Sequence, residues 1–180
     1  MQTFSKSKKV KDTLKQFVIP FSGLKLGTYS YQFNLDKTFF EHFENEDIKD
    51  ANLVIDLTLE KKSTLMELGF NFQGIYSVEC SRCLQEYNQE VSGNESLIVK
   101  FGEEMLDEPD IIFIPHHETS LDLREVIYEM AVLLLPMVCV HPDDKNGNSL
   151  CDPEMLKKIS EHAAKNIPDS QWDQLKNLLN

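Results

Sequence analysis

The sequence predicts an α+β protein, with an antiparallel meander or a barrel-like sheet followed by C-terminal helices. Between residues 17 and 114, apolar and polar residues alternate with the period of two that marks half-buried strands, and the connections are short and polar. After residue 121 the apolar spacing changes to three and four residues, which is the period of a helix face. Strands that precede helices in this way are typical of α+β proteins.

The length and composition favour one folded domain with a tail. The chain has 180 residues, of which 41% are hydrophobic, enough for a core of its own. Residues 1–16 are polar and rich in lysine, and we predict that they form a flexible basic N-terminal tail. Residues 17–180 are predicted to form a single domain.

The predicted strands differ in the clarity of their pattern. The alternation is clearest where every second residue is Tyr, Phe or Leu (residues 29–35) and in the Leu/Ile run after it (residues 53–60). Gly69 suggests a bulge within the longest strand. The predicted strands cover residues 17–21, 29–35, 53–60, 65–80, 96–101 and 111–114.

Helix starts are predicted from residues that commonly cap helix N-termini. An acidic residue stands before each helical pattern, and one of them is followed by proline at the first helical position, Pro153. The second helix is predicted to end at Pro136, because proline lacks the N–H that a helix needs. The predicted cap residues are Asp36, Asp122, Asp152 and Asp169.

The charge of the chain is unevenly distributed. The net charge is −12, but five lysines and one aspartate give residues 1–15 a charge of +4 and leave −16 on the rest. Such a body repels phosphate backbones, so any RNA contact is expected through the lysine tail. The acidic run at residues 103–110 is read as a solvated loop, with contact to a basic protein as the alternative.

Two further features predict a cytoplasmic protein without a membrane span. The N-terminus lacks the apolar segment of a secretory signal. The longest apolar run, residues 130–140, contains Pro136 and is about half the roughly 20 residues that a span requires. In a reducing cytosol, the four cysteines are expected to be thiols or metal ligands rather than disulfides.

The cysteines suggest a candidate zinc site. Cys80-x-x-Cys83 ends a strand pattern, and two thiolates at this spacing can bind one Zn²⁺ ion. Cys151 and either His141 or Cys139 could complete a tetrahedron. Two alternatives remain: the thiols could be small buried hydrophobes, or Cys80 and Cys83 could be a redox pair, although such pairs usually open a helix in a βαβ unit.

The remaining polar motifs do not indicate an enzyme. His116-His117 has no nucleophile or carboxylate pair at a spacing that would indicate catalysis. These two histidines are predicted to lie in a solvated loop. Arg82 is expected to offset thiolate charge. The sequence contains no phosphate-binding glycine loop and no Ser–His–Asp signature. The alternatives are a cysteine-dependent enzyme acting on RNA or on a thiol substrate, with Cys83 or His141 as its active group, and a metal-free protein-interaction domain.

Four motifs, in order, resemble a known family. They are Val-Glu-Cys-Ser-Arg-Cys-Leu (78–84), Leu-Asp-Leu-Arg-Glu-Val-Ile-Tyr-Glu (121–129) with Leu-Leu-Leu-Pro (133–136), Val140-His141 followed by Cys151, and Ile-Pro-Asp-Ser-Gln-Trp-Asp-Gln-Leu (167–175). These motifs resemble those of the bacterial YceD family, the large ribosomal RNA subunit accumulation proteins, in their Bacteroidetes-like form. The first corresponds to the family's C-x-R-C-L box, and the last to its D-P-R-W-x-x-L ending.

The resemblance implies a function and a ligand set. It implies a role in the accumulation of large-subunit (23S) ribosomal RNA, hence in ribosome biogenesis, and no known catalytic activity. The charge of −16 on the body suits docking to a basic ribosomal protein or an assembly factor. Many relatives lack a cysteine at the position of Cys139, which favours His141 and Cys151 as the partners of Cys80 and Cys83. Ser170-Gln171 replaces the family's Pro-Arg, which removes an arginine from the closing motif.

Overall fold

The fold is built on a five-stranded sheet. The computed structural model describes residues 14–102 and 110–163. Two short strands, β1 and β7, pair with each other, and β2 to β6 form the sheet in sequential order. The strands are β1 (Val18–Ile19), β2 (Gly27–Asp36), β3 (Ile48–Lys61), β4 (Leu65–Glu79), β5 (Glu86–Phe101), β6 (Ile111–Ile114) and β7 (Leu121–Asp122). The helices are α1 (Lys37–His42), α2 (Arg124–Leu133) and α3 (Pro153–His162), after a 3-10 turn at Leu14–Phe17.

The α+β prediction is confirmed, with a meander as its sheet. Strands β2 to β5 are antiparallel neighbours, but β6 runs parallel to β5, from Ile98↔Ile111 to Phe101↔Ile114, so the sheet is mixed. The bulge predicted at Gly69 is wrong, because the register there is continuous. The register shifts instead near Ile48 at the start of β3.

Within the described residues, backbone contacts define two units. The first comprises residues 14–79 and 86–139, and the second comprises residues 80–85 and 140–163. The first unit contains the whole hydrophobic core, with Leu14 at the start of that core. None of the described helices is long and apolar enough to cross a membrane.

The core follows from the alternation of the strands. In β3, the odd-numbered side chains from Leu53 to Leu59 are at most 1% exposed, while the neighbouring polar residues face solvent. Asp36 caps α1 as predicted, since its carboxylate accepts the N–H groups of Thr38 (3.0 Å) and Phe39 (3.3 Å). This cap places Phe39 against the core, because it fixes where the helix begins.

A buried hydrogen bond joins the sheet to α2. The Tyr76 hydroxyl donates to the Ala131 carbonyl at 2.8 Å, and burial raises the pKa of this phenol. The predicted cap of α2 needs a correction: the cap position is Leu123, one residue later than expected. Asp122 instead pairs with Arg124, whose hydrogen bonds lower the pKa of the carboxyl.

Several predictions fall outside the described residues. They are most of the lysine tail, nearly all of the acidic run at 103–110, and the helix expected after Asp169.

Two glycines in β4 provide a test of the sheet packing. A Cβ at Gly74 would lie 2.3 Å from the Asn52 carbonyl oxygen and 2.6 Å from the Leu53 Cα, whereas a Cβ at Gly69 meets nothing within 4 Å. Gly74→Ala should lower the free energy of unfolding by about 1–3 kcal/mol, because the contacted atoms are backbone and cannot rotate away. Gly69→Ala should raise it by about 0.5–1 kcal/mol, because alanine loses less entropy on folding.

Urea denaturation of both variants measures these changes. Equal stabilities for the two variants would contradict the close approach of β3 to β4 at Gly74.

Candidate metal centre

The first pair of thiols lies on a tight turn in the second unit. The Cys80 N–H donates to the Gln85 carbonyl, and the Leu84 N–H donates to the Cys80 carbonyl, each at 2.9 Å. Leu84 has a φ of 62°, in the left-handed region that is unusual for a leucine. The Arg82 N–H points at the Cys80 sulfur at 3.4 Å. The turn therefore brings Cys80 and Cys83 together and surrounds one sulfur with N–H donors.

A hairpin positions the other two candidate ligands. His141 and Cys151 stand at either end of residues 142–150, and an antiparallel bridge between Asp143 and Ser149 closes this segment. The Ser149 hydroxyl also accepts the Cys151 N–H at 3.2 Å. These backbone contacts bring an imidazole and a thiol, ten residues apart in the chain, to one side of the hairpin.

The tip of the hairpin is organised by Asp144. Its carboxylate accepts the backbone N–H groups of Asn146 (2.7 Å) and Asn148 (2.8 Å) and the Asn148 side-chain amide (3.1 Å). The bonds from Asn148, together with those from Asn146, lower the pKa of this carboxyl. Gly147 supplies the positive φ of 82° that the turn requires.

A capped helix follows the last thiol. The Asp152 carboxylate accepts the Glu154 N–H at 2.9 Å, and Pro153 occupies the first helical position, as the sequence predicted. Among the described residues of α3, none is buried, so the predicted apolar face of this helix is at most partly covered. The cap fixes the direction of the chain directly after Cys151.

Three distances between the four ligand atoms match those expected around a tetrahedral zinc ion. All four atoms lie within 4.8 Å of one another. The sulfurs of Cys80 and Cys151 are 3.7 Å apart, and His141 Nδ1 is 3.4 Å from the Cys83 sulfur and 3.8 Å from that of Cys151. Zn–S bonds of about 2.3 Å and Zn–N bonds of about 2.0–2.1 Å imply sulfur–sulfur distances near 3.8 Å and sulfur–nitrogen distances near 3.5 Å. The group could therefore hold a metal ion.

The environment of Cys80 favours its thiolate. Burial raises the pKa of this thiol. Hydrogen bonds from the backbone N–H groups of Cys83 and Arg82 and an interaction with His141 act in the opposite direction, and the resulting pKa is about 5. Thiolate, rather than thiol, is the form that binds metal.

The environment of Cys151 disfavours a second thiolate. A hydrogen bond with Ser149 lowers the pKa of Cys151, but burial and the neighbouring sulfurs of Cys80 and Cys83 outweigh it, and the pKa is raised. Several thiolates at this separation repel each other in a buried place. A divalent cation would remove this repulsion, which is the electrostatic reason that such a cluster suits a metal.

The other sequence candidates lie elsewhere. Cys139 belongs to the first unit, is partly exposed, and its thiol faces the Pro136 carbonyl at 3.6 Å. His116 stacks on the Phe101 ring, and His117 lies 4.0 Å from Glu118. Arg82 contributes its backbone N–H, rather than the guanidinium that the sequence suggested.

Two residues that shape the site, Asp144 and Gly147, were missed from the sequence. They stand in a polar segment whose Asp-x-Asn-Gly-Asn pattern is a strong turn signal.

Taken together, a mixed sheet and a separate unit with three buried thiols and one half-buried imidazole define an α+β protein with a candidate metal centre. The family profile described as "Large ribosomal RNA subunit accumulation protein YceD" matches residues 68–179, and the chain belongs to this family. The family's description names the accumulation of an RNA and no chemical reaction. Neither the curated proteins nor the solved structures provide a significant match to the chain.

The hairpin gives a prediction for the site. Asp144→Ala removes the acceptor for the N–H groups of Asn146 and Asn148, so the hairpin should open more often. Amide hydrogen exchange of Asn148, and of Leu150, which donates to the Pro142 carbonyl, should accelerate.

Lowering the pH should reduce the protection factors of the same amides, as Asp144→Ala does. Protection factors correct for the slower intrinsic exchange at low pH. The folded state lowers the pKa of this carboxyl, so its stabilising contribution is present above the unfolded pKa and is lost as the pH falls through the folded pKa. Lys145→Ala, at an exposed neighbouring position, is the matched control. Unchanged exchange in the Asp144 variant would contradict the assigned turn.

Proposed function

We propose that this protein is a non-enzymatic, cytoplasmic factor required for the accumulation of large-subunit ribosomal RNA, with a structural zinc ion bound by Cys80, Cys83, His141 and Cys151. One observation carries the proposal: the family match spans residues 68–179, and all four candidate ligands lie inside it. The RNA role is supported by the family, and the zinc ion by the geometry of the donors.

A closed donor set supports a structural ion rather than a catalytic one. Catalytic zinc keeps a coordination position open for water or substrate, whereas structural zinc has four protein ligands. Three thiols and one imidazole would complete the tetrahedron here. Cys80 is 0% exposed and Cys83 is 3% exposed, so neither thiol is open to a substrate.

The composition of the second unit supports the need for a metal. Among its described residues, the only buried side chains are the three cysteines, Cys80, Cys83 and Cys151. No aliphatic or aromatic side chain in this part of the chain is buried, so the described residues of the unit form no hydrophobic core of their own. Small units without a core usually depend on a metal or on disulfides.

Metal analysis tests the zinc site. Protein purified without added metal should contain about one zinc ion per chain by elemental analysis. Cys83→Ser should lose most of this zinc, whereas Cys139→Ser should keep it, because Cys139 is not among the four converging donors. Chelation should unfold the second unit, since metal binding energy becomes folding energy.

Either of two results would contradict the zinc site. One is an unchanged zinc content in Cys83→Ser, and the other is a melting profile that a strong chelator leaves unchanged. A metal-free interaction domain would give the second result, together with zinc-free wild-type protein.

Depletion of the protein in its own cells tests the RNA role. We expect the ratio of large-subunit to small-subunit ribosomal RNA to fall, and a plasmid copy of the wild type or of Cys139→Ser to restore it. Cys83→Ser should fail to restore the ratio if zinc maintains the active fold. An unchanged ratio after depletion would overturn the proposed function.

The partner proposed for this factor is a basic ribosomal protein or an assembly factor. The charge of −16 outside residues 1–15 favours a basic protein over bare RNA. Any RNA contact would be made by the lysines of the N-terminal residues, most of which lie outside the described part of the chain. Affinity purification followed by mass spectrometry should therefore recover basic proteins of the large subunit.

A further inference from the structure

The edge of β5 is unusually long and open. β5 runs from Glu86 to Phe101, but β6 pairs only with Ile98–Phe101. Within the described part of the chain, no strand pairs with the other side of residues 86–97. About twelve residues therefore form a sheet edge, more than twice the length of a typical strand of five or six residues.

The register shows which backbone groups face outward. Ile98 N–H donates to the Asp110 carbonyl, and Gly102 N–H donates to the Ile114 carbonyl, each at 2.9 Å, so even-numbered residues face the β6 side. The pairing of β5 with β4 is continuous from Lys100 to Glu86, so this alternation holds along the whole edge. The outward groups belong to Glu86, Asn88, Glu90, Ser92, Asn94 and Ser96.

Local contacts agree with this assignment. The Gln89 side-chain amide donates to the Glu90 carbonyl at 2.9 Å. This is expected of a carbonyl that accepts no hydrogen bond from a neighbouring strand. The side chains of all six outward residues are exposed. The open backbone is therefore accessible to a partner of the right shape.

The edge lacks most of the features that usually block strand addition, and its glutamates would repel only acidic strands. Natural edges are protected by proline, charged side chains (lysine above all), short length or bulges. Residues 86–97 contain no proline, no lysine and no arginine, and the register shows no bulge. This stretch is therefore suited to accept an added strand.

The charge of the edge selects among possible partners. Residues 86–97 contain three glutamates and no basic residue, and Glu86 pairs directly with Glu79 of β4. A second copy of the same edge would bring like charges together, which disfavours self-association. RNA is disfavoured for the same reason, whereas a segment with lysine or arginine at alternate positions would complement the edge.

The edge also has a place for a side chain. A shallow, open depression of about 460 Å³ is lined by Gln73, Gly74, Ile75, Glu90, Val91 and Ser92. Ile75 is 39% exposed at its apolar floor. Pockets for alternate side chains give specificity when a peptide adds to a sheet edge.

We propose that the β5 edge, residues 86–96, binds an extended lysine- or arginine-rich segment of a protein partner as an added strand. Main-chain hydrogen bonds to the six outward residues would provide affinity, and the glutamates would provide selectivity for basic segments. This inference deepens the proposed function by naming how a basic partner binds. Its ribosomal setting rests on that function, whereas the strand pairing does not.

A peptide-binding experiment tests the backbone part of the proposal. The probe is a fluorescent ten-residue peptide of alternating lysine and threonine, titrated into the full-length protein at low salt. Ser92→Pro removes one outward N–H without removing a bond to β4, because Ser92 faces away from that strand. Ser92→Ala keeps the N–H and is the matched control.

The expected result is specific to strand pairing. Ser92→Pro should weaken binding by about tenfold or more, and N-methylation of one edge of the peptide should have the same effect, because both block main-chain bonds. Ser92→Ala should bind like the wild type. Circular dichroism melting of each variant confirms that the sheet remains folded.

A charge-matched pair of variants tests the selectivity. Glu86→Gln with Glu90→Gln should weaken binding and reduce its salt dependence. Glu125→Gln with Glu129→Gln makes the same change of net charge on α2, outside the edge, and should leave binding close to that of the wild type.

Four outcomes would overturn the proposal. They are no binding of the peptide, equal binding by Ser92→Pro and Ser92→Ala, tighter binding of polyuridylate than of the peptide, and a dimer in sedimentation that Ser92→Pro abolishes. Each would leave the depletion result on ribosomal RNA intact, so failure of this inference is distinguishable from failure of the proposed function.

Discussion

The convergence of four donor atoms from two distant segments governs the second unit of this protein. Cys80 and Cys151 are 71 positions apart, yet their sulfurs lie 3.7 Å from each other. No aliphatic or aromatic side chain among the described residues of this unit is buried, so burial of such side chains cannot explain why the segments meet. The tight turn presents Cys80 and Cys83, and the hairpin places His141 and Cys151. A cation bound by all four donors would give these local structures a reason to remain together.

The sheet unit has a different physical basis. Its stability comes from apolar side chains that alternate along the strands, and in β3, which lies between β2 and β4, every second residue from Ala51 to Leu59 is buried. Tyr76 joins this sheet to α2 through a buried hydrogen bond, which also fixes the position of the helix along the strand. The protein thus combines a conventional hydrophobic core with a unit in which four possible metal ligands converge.

The sequence predicted those parts of the fold that bury apolar side chains. β3 was evident because leucine and isoleucine alternate with polar residues, and α1 because Asp36 precedes a cluster of phenylalanines. Most of β5 was missed, and only residues 96–101 were predicted. The residues before Leu97 alternate between polar side chains and partly buried Tyr87, Val91 and Gly93, a pattern too weak for periodicity analysis. The candidate ligands could be predicted from residue types and from the family resemblance. The turn around Asp144 was not predicted, because it depends on hydrogen bonds between a side chain and the backbone.

Two features have a consequence for the order of folding. They are the parallel pairing of β6 with β5 and the separation of Cys80 and Cys151 by 71 positions in the sequence. Hairpins between neighbouring strands involve short loops and form quickly, so β2 to β5 can assemble while the C-terminal part is still being synthesised. The turn at residues 80–85 is then synthesised before His141 and Cys151, and the four donors cannot meet until the later two have left the ribosome. Synthesis of the segment that carries His141 and Cys151 is therefore the event that allows the second unit to close.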